Sequence, residues 1–255
     1  MKTINAKKIG VFLSTCTICL GVHAQLVDDF SGDLSAYTLS RVLDQGTTAN
    51  VSFSNTGGAL QAVSTGSDGA EQVLFLRSDF SLSIGQMLMA DVNWSLGTSQ
   101  DLGIAVASTS TPTSIASGVS GDTRKNFSYE YIGIRGDSWH VISSGFDGAT
   151  TIPTSQFQPG TGTTVGLFIA RTSAQTFDFG YNQGAGNVVL SSFTFTNSDI
   201  GNAIGFYTDM RANNSVGTLD NLRLAAVPEP STLALCGLAF AGFFYFIRHK
   251  KHAMA

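Results

Sequence analysis

The sequence predicts an all-β fold, a two-sheet antiparallel sandwich, with a signal helix before it and a single transmembrane helix after it. Three observations carry this. Between residues 25 and 227 short β-rich runs recur, parted by Gly, Asn, Asp and Ser, and no long stretch has a helical period. Two apolar runs, 9–22 and 231–247, stand at the ends, the first behind Lys2, Lys7 and Lys8, the second ahead of Arg248, Lys250 and Lys251. Cys16, Cys19 and Cys236 all lie in those ends. The part between therefore has no disulfide and rests on a core alone, for which about 200 residues are ample. The expected division is 1–24, 25–226 and 227–255.

The N-terminus has a positive n-region, an apolar h-region over 9–22, and Val22, His23 and Ala24 at the cleavage positions. This is the pattern of a secretory signal peptide cut after Ala24, and it implies the secretory translocon and signal peptidase as partners. A signal anchor is the alternative, against which the h-region is short and broken by Ser14, Thr15 and Thr17. Neither Cys16 nor Cys19 follows the small residues that a lipoprotein signal wants.

Strands are expected near 59–63, 72–77, 87–95, 102–107, 127–135, 139–144, 164–171, 176–181, 187–195, 203–209 and 217–224. Gly136 and Asp137 suit a hairpin turn. Residues 197–201 read as one helical turn or a loop, and the polar stretch 108–123, with Pro112, as an exposed loop. Short strands at this spacing mean a sandwich or barrel. Aromatic alternation at Phe127, Tyr129 and Tyr131, and at Phe193 and Phe195, favours two stacked sheets. The opening Asp28-Asp29-Phe30, the run 200–207 (Ile-Gly-Asn-Ala-Ile-Gly-Phe-Tyr) and the closing 217–224 (Gly-Thr-Leu-Asp-Asn-Leu-Arg-Leu) resemble the concanavalin-like, laminin-G-type jelly roll.

That resemblance implies two chemistries. Lectin-like sandwiches often bind calcium where the first and last strands meet. Asp28, Asp29, Asp220 and Asn221 are the oxygen donors for such an ion, or else ordinary turn residues. Many such sandwiches are glycanases, and the enzymatic alternative is a glycoside hydrolase. Hydrolysis needs two carboxylates about 5–9 Å apart, and hydrolases of this fold typically carry Glu-x-Asp-x-x-Glu on one strand. Here the strand at 129–134 carries Glu130 alone, and Glu71 is the only other glutamate of the middle part. The expectation is a non-enzymatic protein; besides the hydrolase, the other alternative is a self-assembling structural surface protein whose exposed strands mediate contact. Glycan stacking would fall to exposed aromatics, Trp94 and Trp139 first, with Tyr129, Tyr131, Tyr181 and Tyr207 behind them, although most strand aromatics belong to cores.

His140 is the one histidine between the ends, inside an alternating strand and with no Gly-x-Ser-x-Gly elbow in the chain. One histidine and no cysteine cannot make a usual zinc site. Six of the 14 basic residues and one of the 18 acidic ones lie in the ends, which leaves 8 against 17, a net charge near −9 for the middle part. Such a surface repels nucleic acid and suits cations or neutral polymers.

The tail completes the pattern. Val227, Pro228, Glu229 and Pro230 hold an extended segment that cannot join a helix. Residues 231–247 carry no charge and span roughly 26 Å as a helix, close to the ~30 Å hydrocarbon core. Tyr245 and Arg248 reach the interface, and Arg248, Lys250 and Lys251 act as a membrane stop kept in the cytoplasm. A buried C-terminal helix of a soluble domain is the alternative. The three parts in this order resemble the PEP-CTERM sorting signal of Gram-negative envelope proteins, which implies processing by exosortase, a membrane cysteine protease. It also implies an inner-membrane intermediate, delivery to the cell surface, and association with exopolysaccharide.

Overall fold

The computed structural model describes residues 24–43, 51–64, 70–94, 100–109, 131–135, 140–144, 150–153, 164–182, 186–211 and 215–227, and of 131–153 the strand paths only. The signal peptide, the hairpin at Gly136 and Asp137, Trp139 and the tail beyond Val227 lie outside these residues. Among the described residues no helix is long and apolar enough to cross a membrane. Residues Ala24–Ala225 form one compact unit.

Among the described residues fifteen strands build that unit: β1 (Gln25–Asp28), β2 (Thr38–Leu43), β3 (Val51–Thr56), β4 (Ala59–Ser64), β5 (Ala70–Arg77), β6 (Gln86–Trp94), β7 (Gln100–Ala107), β8 (Tyr131–Arg135), β9 (His140–Ser144), β10 (Thr150–Pro153), β11 (Thr164–Arg171), β12 (Thr176–Asn182), β13 (Asn187–Thr194), β14 (Ala203–Arg211) and β15 (Ser215–Ala226). One sheet runs β13-β12-β11-β6-β15-β4-β3, with β1 also on β15; the other runs β10-β9-β8-β7-β14-β5-β2. The all-β, two-sheet antiparallel expectation holds. The sequence reading missed β1, β2, β3 and β10, all of them short. Residues 197–201 form a hydrogen-bonded turn, closed by Asn202 N–H on Asp199 O at 3.1 Å.

Period-two alternation assigns the faces. Leu88, Ala90 and Val92 of β6, Val165, Leu167 and Ile169 of β11, and Leu60 and Ala62 of β4 point inward, against Val73, Phe75, Leu102, Ile104, Val106, Ile204 and Phe206 of the other sheet. Burying each large side chain stabilises by about 1.5–3 kcal/mol. The seven-stranded sheet is also buried on its outer face, where Leu74, Leu76, Ala105, Ala107, Ala203 and Tyr207 form a second cluster. This explains the continuous apolar run 73–76, which alternation alone would not give.

Between β1 and β2 the chain changes sheets through three side-chain-capped turns. Asp28 Oδ1 accepts the Phe30 N–H at 2.7 Å, Asp29 Oδ1 the Ser31 N–H at 3.0 Å, and Asp33 Oδ1 the Ser35 N–H at 2.9 Å. These bonds hold the Asp29 and Asp33 carboxyls below their ordinary range, the serine hydroxyls being the larger cause. Phe30 takes a left-handed φ of 54°, which drives its ring into the core beside Phe206 at 5.6 Å.

Candidate functional site

The opening and closing strands meet as expected: Gln25, Leu26 and Asp28 pair with Leu224, Arg223 and Leu222. The four proposed calcium donors do not converge. Asp28 Oδ2 accepts the Tyr37 hydroxyl at 3.0 Å and Arg77 Nη1 at 3.1 Å, while its Oδ1 is held by Phe30. Arg77 is itself buried, chelates Asp79 at 2.8 and 2.7 Å, and lies over the rings of Tyr37 and Phe80. A guanidinium already fills the place a cation would take. Asp29 caps Ser31, and Asn221 bonds to Asp91. Among the described residues no three His, Cys, Asp or Glu side chains are grouped to hold a metal. The cluster around Asp28 is an ion-paired clasp that ties β1 to β5. Its hydrogen bonds hold the Asp79 carboxyl below the ordinary range, with Arg77 as the cause, and burial pushes the Tyr37 phenol well above its usual value.

Arg171 is the second buried arginine. It donates to Leu82 O and Ser198 O, each at 2.9 Å, and to Ala174 O, and its guanidinium lies over Phe177. It ties three loops at one end of the sandwich. Burial lowers its affinity for the proton.

The outer face of the eight-stranded sheet carries a different arrangement. Asn187 pairs with Asn182, Asn182 with Gly166, and Gly166 with Asp91, on four neighbouring strands. Asn221 of β15 extends the row by donating from Nδ2 to Asp91 Oδ2 at 3.1 Å, and Asn182 Nδ2 donates to Asn187 Oδ1 at 3.0 Å. At about 4.8 Å per strand step the row runs about 19 Å. Arg223 joins it through Nη1, 3.3 Å from Asp91 Oδ2.

Two features of the strands place these side chains there. In β15 both Leu219 and Leu222 are core residues, so the in-and-out alternation slips by one at Asp220 and Asn221, where Asn221 takes a left-handed φ of 54°. In β11 the row meets a glycine. A Cβ on Gly166 would lie 3.6 Å from Asn182 Cβ and 3.6 Å from Asp91 Oδ1, ordinary contact distance, so the glycine leaves a notch one side chain wide. Asp91 Oδ1 faces that notch and has only a long contact, 3.4 Å, to Arg223 Nη2. On one side along β11 stands Thr164, bonded by Asn93 Nδ2 at 3.0 Å. On the other stands Phe168, whose ring lies over Gly180; a Cβ on Gly180 would come within 2.6 Å of it.

The notch thus offers a carboxylate oxygen, amides and a hydroxyl, while the Phe168 ring beside it is buried. Sequence reasoning missed it, because Asp91, Gly166 and Asn182 meet only through strand register. Of the residues in the row the sequence marks Asn221 alone, as an oxygen donor for calcium. Of the aromatics expected as stacking platforms, Tyr181 and Tyr207 are buried core residues, so they offer no face to a ligand. The backbone of Trp94 closes β6, its side chain lying outside the description, as do Tyr129, Trp139 and the side chain of Tyr131.

Comparison with known proteins agrees with this architecture. Residues 226–251 match the PEP-CTERM protein-sorting motif. No curated protein matches the sequence. Among solved structures, an endo-acting O-glycanase of the human gut microbiota is similar with a TM-score of 0.53 at 9% identity, over 80% of this chain and 100% of that one. A Bauhinia forficata lectin in complex with GalNAc gives 0.52 at 10%, over 81% and 100%. The Clostridium perfringens endo-β-galactosidase that releases GlcNAcα1-4Gal gives 0.51 at 10%, over 81% and 63%. At such identities the likeness is one of fold. The motif implies export, a membrane-anchored intermediate, processing by exosortase and delivery to the surface. The chain is therefore a concanavalin-like jelly roll that carries a PEP-CTERM protein-sorting motif at residues 226–251.

Proposed function

We propose that the protein is a non-catalytic surface component that holds neutral polysaccharide of the extracellular matrix on the outer face of its eight-stranded sheet. The observation that carries this reading is the Gly166 notch between Asn182 and Asp91. Sugar recognition uses planar amides and carboxylates for paired hydroxyls and an apolar face for the ring. The row supplies the polar groups along several strands, a length that suits a chain of sugars. The net charge near −9 disfavours acidic polymers. The row itself holds one carboxylate, Asp91, engaged by Arg223 and Asn221, whereas glycoside hydrolysis uses two.

In this reading the translocon exports the chain in a Gram-negative cell and signal peptidase cuts after Ala24. Residues 231–247 then hold it in the inner membrane with Arg248, Lys250 and Lys251 in the cytoplasm, until exosortase acts near Pro228, Glu229 and Pro230. The fold neighbours include both a lectin and glycanases, which is compatible with a sugar ligand. A glycan array probed with residues 24–225 tests the ligand class. Binding to neutral glycans that is lost in Asp91→Ala supports it, and silence across the array, or binding indifferent to Asp91, refutes it.

A further inference from the structure

The chain enters and leaves the compact unit at one corner. β1 starts at Gln25 and lies antiparallel on the end of β15, with Gln25 opposite Leu224, Leu26 opposite Arg223 and Asp28 opposite Leu222. Neighbouring strands stand about 4.8 Å apart, so the first and last residues of the unit are neighbours. β1 is held there firmly. Val27 packs against the core, its carbonyl accepts Arg77 Nη1 at 3.3 Å, and Asp28 Oδ2 accepts the same nitrogen at 3.1 Å.

The fold anchors β15 up to Leu224 and little further. Leu222 and Leu224 are both core residues, and the pairing with β1 ends at Leu224. Beyond it Ala225 is half-buried, Ala226 is exposed and Val227 is half-buried. The match to the sorting motif begins at residue 226. Three residues therefore separate the last anchored position from Pro228. At 3.3–3.6 Å per residue, Pro228 stands no more than about 14 Å from Leu224. A protease holds its substrate as an extended strand through main-chain hydrogen bonds, as strand addition to a sheet edge does. A strand that already pairs within a sheet has no such groups to give, whereas the main chain after Leu224 is clear of β1.

We propose that the corner of β1 and β15 is the surface on which exosortase docks, and that the folded sandwich sets the upstream limit of its cut. Ala225, Ala226 and Val227 form the arm that the protease grips, and the length of this arm matters more than its composition. The inference rests on the reading in which exosortase acts near Pro228, Glu229 and Pro230. The corner offers apolar surface for the contact: Leu26 is 53% exposed, and Ala226 is exposed beside it in sequence order along the paired strand. An unfolded chain would impose no such limit, so the tail is cut from a domain that has already folded.

Full-length chains in the cell that makes the protein provide the test, with the share of tail-processed product read by mass. Deleting Ala225 and Ala226 draws Pro228 to the edge of the sheet and should slow processing tenfold or more, leaving precursor in the membrane. Ala225→Ser combined with Ala226→Ser keeps the length and should be processed like wild type. Inserting Gly-Ser after Ala226 should also leave the rate unchanged. Val27→Asp sets a charge against the core and lifts β1 from β15, and it should restore processing to the deleted chain. Wild-type processing of the deleted chain, or slow processing of the chain with the longer arm, overturns the proposal. The insertion lies outside the anchored strand, so that arm of the test stands even if the deleted chain misfolds. A wild-type chain that keeps its tail refutes the sorting reading itself.

Discussion

Asn221 Nδ2 donates to Asp91 Oδ2 at 3.1 Å, joining residues 130 positions apart from the closing strand to the middle of the same sheet. The contact depends on the left-handed turn of β15 at Asn221, which lets Asp220 and Asn221 occupy one step of alternation. A left-handed backbone costs a β-branched residue about 1–2 kcal/mol and costs glycine nothing.

Asn221→Val should therefore lower unfolding free energy by about 1–2 kcal/mol, while Asn221→Gly should stay within a few tenths of a kcal/mol of wild type. Urea denaturation measures both. The glycine variant, although folded, lacks the amide on Asp91 and should bind glycan more weakly.

The Asp79 carboxyl sits below its ordinary value because Arg77 bonds it, so the folded protein holds fewer protons there than the unfolded chain. Its stabilisation is present above the unfolded carboxylate value, about pH 4, and disappears as pH falls through the lower folded value. Asp79→Asn should be less stable than wild type at neutral pH, with a gap that is flat from about pH 6 to 8 and closes in acid. Urea midpoints collected across that range give the curve; a gap that widens in acid contradicts the ion-pair account.

Arg171 satisfies carbonyls of three loops from a buried position. Arg171→Met leaves them without donors and should cost about 2–4 kcal/mol. Arg171→Lys should recover little of this, because one ammonium cannot span the fork. Recovery to wild-type stability in the lysine variant would show that charge alone matters there.

At the junction of β1 and β15 Arg77 occupies the Asp28 carboxylate. Millimolar calcium and a chelator should both leave the melting temperature of residues 24–225 unchanged. A concentration-dependent rise would mean that Asp28 exchanges its arginine for a cation.

Long alternating runs such as those of β6, β11 and β14 were legible in the sequence because hydrophobic period and turn residues both mark them. β3 was not, since Ser52, Ser54 and Asn55 dilute the pattern, although Gly57-Gly58 was a hairpin signal in plain view. β10 hid behind Pro153, which argues against a central strand and fits the edge it occupies. The clasp of Asp28, Tyr37 and Arg77 spans 49 residues and two sheets, so only register reveals it. The notch escaped for the same reason: Gly166 reads as a weak strand residue until Asp91 and Asn182 are placed on either side. The tail was legible because its three unlike parts follow one another locally, with no tertiary contact needed.

The most direct test of the glycan-binding account is titration of a neutral array hit into residues 24–225 carrying Gly166→Val. The nearest atoms to a Cβ at this position stand 3.6 Å away, ordinary contact distance, and the melting temperature of the variant checks that valine's two γ-methyls are accommodated. With the notch filled, affinity should fall by tenfold or more, about 1.4 kcal/mol. Undiminished binding by a folded Gly166→Val protein would contradict the account.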